Sequence, residues 1–141
     1  MIGVLAWLGL ALGGSLGALS RWRLDLAVRE RIVAFVATRS KSGSAHRAPA
    51  VPPLLGIATV NVLGCFLVGL LGGALAAAPG WRLVVSTGFL GGFTTFSTAV
   101  MDCWNLWHAG RRGAAILLLI GVWGCALVAL FAGLGVAALL P

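Results

Sequence analysis

The chain has 141 residues, of which 60% are hydrophobic and only 9% charged, with a mean hydropathy of +1.06. This excludes a soluble globular domain and points to one integral membrane domain over residues 1–141. A formal net charge of +7 would suggest nucleic acid in a soluble protein. Here no nucleic acid is expected, because the basic residues fall between apolar segments and the surrounding partner is membrane lipid.

Apolar stretches run at about 2–20, 54–78, 83–107 and 113–140, each near the ~20 residues a helix needs to cross ~30 Å of hydrocarbon. They predict an all-α membrane protein with four transmembrane helices. The first lacks the basic residues that precede the apolar core of a secretory signal and is read as a retained span. Gly9, Gly13 and Gly17 recur in it at four-residue spacing, a stripe that lets another backbone approach closely. After Arg21 the sequence keeps helical potential but mixed polarity, which suits a helix end emerging at the interface with Trp22 at headgroup depth.

Residues 38–50 are polar, basic and rich in Ser, Gly and Pro, and are expected to form a flexible loop. Pro52 and Pro53 then open the second span. Its one conspicuous polar residue is Asn61, read either as interhelical glue, the favoured reading, or as a donor to a passing ligand. Cys65, Cys103 and Cys125 lie in three different spans, which indicates neither a zinc site nor a disulfide framework.

The third span carries Ser86-Thr87-Gly88-Phe89-Leu90-Gly91-Gly92-Phe93-Thr94-Thr95-Phe96-Ser97-Thr98. Hydroxyls and paired glycines at this depth make sense if they face protein, water or an ion. Each glycine weakens a helix by about 1 kcal/mol, and Thr94 and Thr95 can compete with the helical ladder. A break near Gly91–Thr94 is therefore expected. Asp102, past Phe96 and close to Trp104 and Trp107, suits either a functional role or pairing with a loop arginine. The fourth span has no hydroxyl to offer a pore.

Charge sets the orientation. Arg21, Arg23, Arg29, Arg31, Arg39, Lys41 and Arg47 follow the first span, and Arg111 and Arg112 follow the third. Only Arg82 lies on the opposite side. Such a bias predicts basic loops in the cytoplasm and both termini outside the cell membrane.

Three patches, Gly13-Gly14-Ser15-Leu16-Gly17-Ala18-Leu19-Ser20-Arg21, Val60-Asn61-Val62-Leu63-Gly64-Cys65-Phe66 and the run from Gly88 to Thr98, resemble the Fluc/CrcB family of fluoride channels. The resemblance implies an antiparallel dimer that passively exports fluoride from the cytoplasm and so reduces its toxicity. It also implies a structural sodium ion held by backbone carbonyls, which by motif position belong to Gly91 and Thr94. Asn61, Phe96, Ser97 and Thr98 match pore residues, and Arg21 matches a vestibule arginine. Fluoride is small and strongly hydrated, so donors and electropositive ring edges must replace its lost water.

Three departures stand out. The second pore phenylalanine expected from the family is Ala99, and the chain has no tyrosine. The family's usual glutamate at the end of the third-span motif is Asp102. An antiparallel homodimer would also need a chain that inserts both ways, which the charge bias opposes. The expected partner is therefore an oppositely oriented paralogue. A non-conducting structural subunit of such a heterodimer, or a small four-span transporter, are the alternatives. Against a proton antiporter, no carboxylate precedes Asp25 in the first span. Nor is there a nucleophile–base pair or metal cluster that an enzyme would need.

Overall fold

A computed structural model describes residues 3–39, 52–75 and 78–139, and all regular structure among them is helical. Four helical rods are long and apolar enough to cross a membrane: Val4–Thr38, Leu54–Ala74, Pro79–His108 and Arg112–Leu139. They correspond to the four apolar stretches in the sequence.

Helix α1 (Val4–Arg39) has 36 residues, about 54 Å at 1.5 Å per residue against ~30 Å of hydrocarbon. The sequence keeps helical potential past Arg21, and one helix does continue, through Arg39, because residues 22–39 contain neither glycine nor proline and an ion pair, Arg29 Nε to Asp25 Oδ1 at 2.8 Å, staples one turn to the next. Thr38 and Arg39, placed in the flexible loop from sequence, end this helix. The rest of that loop, residues 40–50, lies outside the described residues.

Helix α2 (Pro52–Ala74) packs along α6 (Arg112–Leu139). The closeness is set by two reciprocal glycines. A Cβ on Gly69 would strike the backbone oxygen of Leu130, and one on Gly133 would strike that of Phe66. Small residues at both crossing points let dispersion contacts form where lipid offers no hydrophobic drive for association.

The third span is composite. It runs as α3 (Pro79–Arg82), a π-helical stretch Leu83–Leu90 and a short α4 (Gly91–Phe93). After Thr94 and Thr95, both extended, it resumes as α5 (Phe96–His108). Gly91 itself keeps helical angles, φ −63° and ψ −37°, so the extended residues fall at the two threonines and not at the glycine pair. Before them the span lies against α1, and after them against α6. The glycine stripe makes the first contact possible: added Cβ atoms on Gly13 and Gly17 would meet the backbone of Val84 and Phe89, and Gly92 packs on the backbone of Gly14.

The turn into α6 closes with Gly110 at φ 78°. Arg111 N–H bonds Leu106 O at 2.9 Å and Gly110 N–H bonds Trp107 O at 3.1 Å, the pair of bonds that satisfies the last carbonyls of a helix when its C′ residue is left-handed. Few of the described side chains are buried, among them Val60, Leu90, Phe93 and Leu106, while large apolar residues line the outside. That inversion suits a bundle solvated by lipid.

Gly17→Ala should push α1 away from the third span and destabilise the protein by about 1–3 kcal/mol. Gly121→Ala, where nothing stands within 4 Å of the added Cβ, should be neutral; unfolding in mixed micelles compares the two.

Candidate ion site at the third-span threonines

In a continuous helix the N–H of Thr95 would bond the carbonyl of Gly91, and the N–H of Thr98 that of Thr94. Both donors are diverted. Thr95 N–H donates to Asn61 Oδ1 at 2.8 Å, and Thr98 N–H donates to Thr95 Oγ1 at 3.4 Å. The carbonyls of Gly91 and Thr94 are left without their helical donors.

Asn61 holds the extended segment at both ends of one residue. Besides accepting from Thr95 N–H, it donates through Nδ2 to Thr95 O at 2.8 Å, and it is only 8% exposed. Its amide thus stands in for the missing helical partners. Gly64, about one turn further along α2, admits this approach, since a Cβ there would strike Thr94 Cγ2. On the other side, Thr94 N–H and Oγ1–H both donate to Leu90 O, each at 3.0 Å.

Two opposite electrostatic poles meet at this point. The first half of the span ends in carbonyls, which favour a cation, while the N-terminus of the 13-residue α5 presents free N–H groups and the positive end of its dipole, which favour an anion. Thr95 is the N-cap of α5. Its Oγ1 lies 3.3 Å from Ser97 Oγ and 3.2 Å from Thr98 Oγ1, so three hydroxyls gather on the anion-favouring side.

Beside this point runs a groove of about 250 Å³ lined by Asn61, Thr94, Thr95, Phe96, Ala99 and Trp123 with neighbouring span-four residues. The Phe96 ring is 64% exposed and stands at 82° to Trp123, with centroids 5.7 Å apart. Ala99 and Trp123 also line an adjoining recess that reaches Asp102 and Cys103.

The residues singled out in the sequence are thus distributed unequally. Asn61, Thr94 and Phe96 meet in one groove; Gly91 is exposed, with open space around it. Ser97 and Thr98 sit on the first turn of α5, linked to the groove through Thr95. Arg21 lies on α1 away from the groove lining, with its Nε buried and without a hydrogen-bond partner among the described residues. Asp102 lies in the adjoining recess; among the described residues its Oδ2 is buried without a hydrogen-bond partner and it makes no salt bridge, while Arg29 is near enough to act on it electrostatically.

Two residues central to the site are not among the site residues expected from sequence. Thr95, expected there only to compete with the helical ladder, carried a further usable signal, a threonine N-cap ahead of a helical run. Trp123 carried none, because its relation to Phe96 joins two spans.

Asn61→Leu removes both partners of the Thr95 backbone, and each unpaired buried group costs about 1–3 kcal/mol. Unfolding titrations in micelles should show the loss of several kcal/mol, and Thr95→Val, which removes only the cap, about 1 kcal/mol.

The sequence pattern of the family described as "CrcB-like protein, Camphor Resistance (CrcB)" matches residues 8–134. A fluoride-specific ion channel FluC of Acidobacterium capsulatum is 36% identical over 115 residues, covering 79% of this chain and 78% of that protein. One from Paracoccus denitrificans is 34% identical over 132 residues, covering 92% of each. The fluoride-specific ion channel FluC 1 of Leifsonia xyli is 39% identical over 132 residues, covering 91% of this chain and 82% of its own. With four apolar spans, a polar interruption in the third and relatives matched over most of their length, this chain belongs to the CrcB family.

Proposed function

We propose that the chain is a subunit of a fluoride-specific channel that lets fluoride leave the cytoplasm passively and so limits its toxicity. It is a channel component and not an enzyme, as its relatives' names indicate. The observation that carries the reading beyond family membership is the N-terminus of α5, exposed at membrane depth with the Thr95, Ser97 and Thr98 hydroxyls beside it. Free N–H groups, hydroxyl donors and the Phe96 ring are the chemistry that can replace the water of a small anion.

The broken third span has a second role in this proposal. The carbonyls of Gly91 and Thr94, released by Asn61 and Thr95, suit a hard cation, which prefers oxygen ligands. A resident sodium ion would neutralise the converging carbonyl dipoles. One chain offers two such carbonyls, and Gly91 stands exposed. A second subunit in antiparallel orientation would complete the oxygen set.

That second subunit is read as a different chain. Nine basic residues follow the first and third spans against Arg82 alone on the other side, which favours a single orientation in the cell membrane with both termini outside. The alternative role, a non-conducting structural half, is favoured by Ala99 and by the absence of any hydroxyl from α6.

Liposomes containing this chain alone, and then together with a four-span paralogue of opposite charge bias, should release fluoride but not chloride in at least one preparation. Chloride release at a similar rate, or no release from either, would refute the channel assignment. A tag on the C-terminus should be accessible only from outside whole cells; a mixture of orientations would count against the heterodimer.

A further inference from the structure

Trp123 stands near the middle of α6, 11 positions past Arg112, which places it about 16 Å along the helix axis. Tryptophan is ordinarily concentrated at the membrane interfaces, where its N–H can reach water or headgroups. Here the side chain is 51% exposed and its contact with the Phe96 ring is its one polar or aromatic interaction among the described residues. An indole N–H can only donate. Held at this depth with no acceptor among the described residues, it is free to donate to a ligand in the groove.

Its surroundings narrow what that acceptor is. Trp123 lines the same groove as Asn61, Thr95 and Phe96, and it borders the adjoining recess that leads to Asp102. Both spaces are also lined by Ala99, three residues after Phe96 on the same helix. The small alanine leaves room across the groove, and the large ring comes from α6 instead. No serine, threonine or tyrosine in α6 competes for the role.

We propose that Trp123 is a specificity-determining residue of the permeation path: its indole N–H donates to fluoride as the ion passes Phe96, so the fourth span, which has no hydroxyl, contributes a donor through its indole. The inference rests on the channel reading. It adds that the groove beside Phe96 and Ala99 is on the ion's route and that Trp123 N–H is in contact with the ion there.

Three variants of one assay test it. In proteoliposomes of the conducting assembly, Trp123→Phe keeps an aromatic ring and removes the donor. Fluoride efflux should fall about tenfold or more, the loss that one hydrogen bond to an ion represents, with dimer assembly unchanged on gel filtration. Trp123→Tyr restores a donor and should recover much of the flux. Trp123→Phe conducting as well as the unmutated protein would overturn the proposal. Equal losses in Trp123→Phe and Trp123→Tyr would also overturn it, because they would mark a packing role.

A binding measurement on the unmutated protein is independent of flux. With indole nitrogens labelled, one indole N–H resonance should move downfield on adding sodium fluoride and stay in place with sodium chloride. Resonances unmoved by fluoride would overturn the proposal even in a conducting channel. Failure of the unmutated protein to release fluoride would strike the channel reading separately.

Discussion

The structure depends on one pair of hydrogen bonds, those between the Asn61 amide and the two backbone groups of Thr95. Hydrocarbon offers no partner to a backbone released from its helix, so an interruption at membrane depth persists only where protein or an ion supplies one. A single asparagine does this with a donor and an acceptor in one plane. It is both the glue that the sequence favoured and a wall of the groove.

The interruption has consequences in both directions along the chain. It allows the third span to change partners, from the glycine face of α1 to the side of α6. It also turns one helix into two, and so creates a carbonyl-rich end and an N–H-rich end in contact. A continuous helix would have cancelled these charges internally. Thr95 is common to both effects: its backbone is the residue held by Asn61, and its hydroxyl caps the helix that follows.

Glycine placement explains why such an arrangement packs without a large core. The contacts of Gly17 with Phe89 and Phe93, of Gly64 with Thr94, and of Gly69 with Leu130 bring backbones close enough for dispersion and dipole interactions to hold the bundle. The π-helical turns from Leu83 to Leu90 lie on the first of these faces. Wide turns of this kind recur beside functional sites, and here they lead directly into the interrupted segment.

The sequence by itself determined the four spans, the bias of charge across the membrane and the segment in which regular structure fails. Each of these follows from local quantities: apolar length, the count of arginines between spans, and the weakness of Gly-Gly-Phe-Thr-Thr as a helix. It also pointed to Asn61 and to the packing stripe of α1. Only the tertiary structure decided that the threonines, and not the glycines, carry the extended backbone, because that outcome depends on where Asn61 reaches across from another helix. It alone joined Phe96 to Trp123 and left Arg21 and Asp102 outside the groove. Those relations belong to pairs of residues tens of positions apart, and no periodicity along one helix encodes the rotation at which it meets its neighbour.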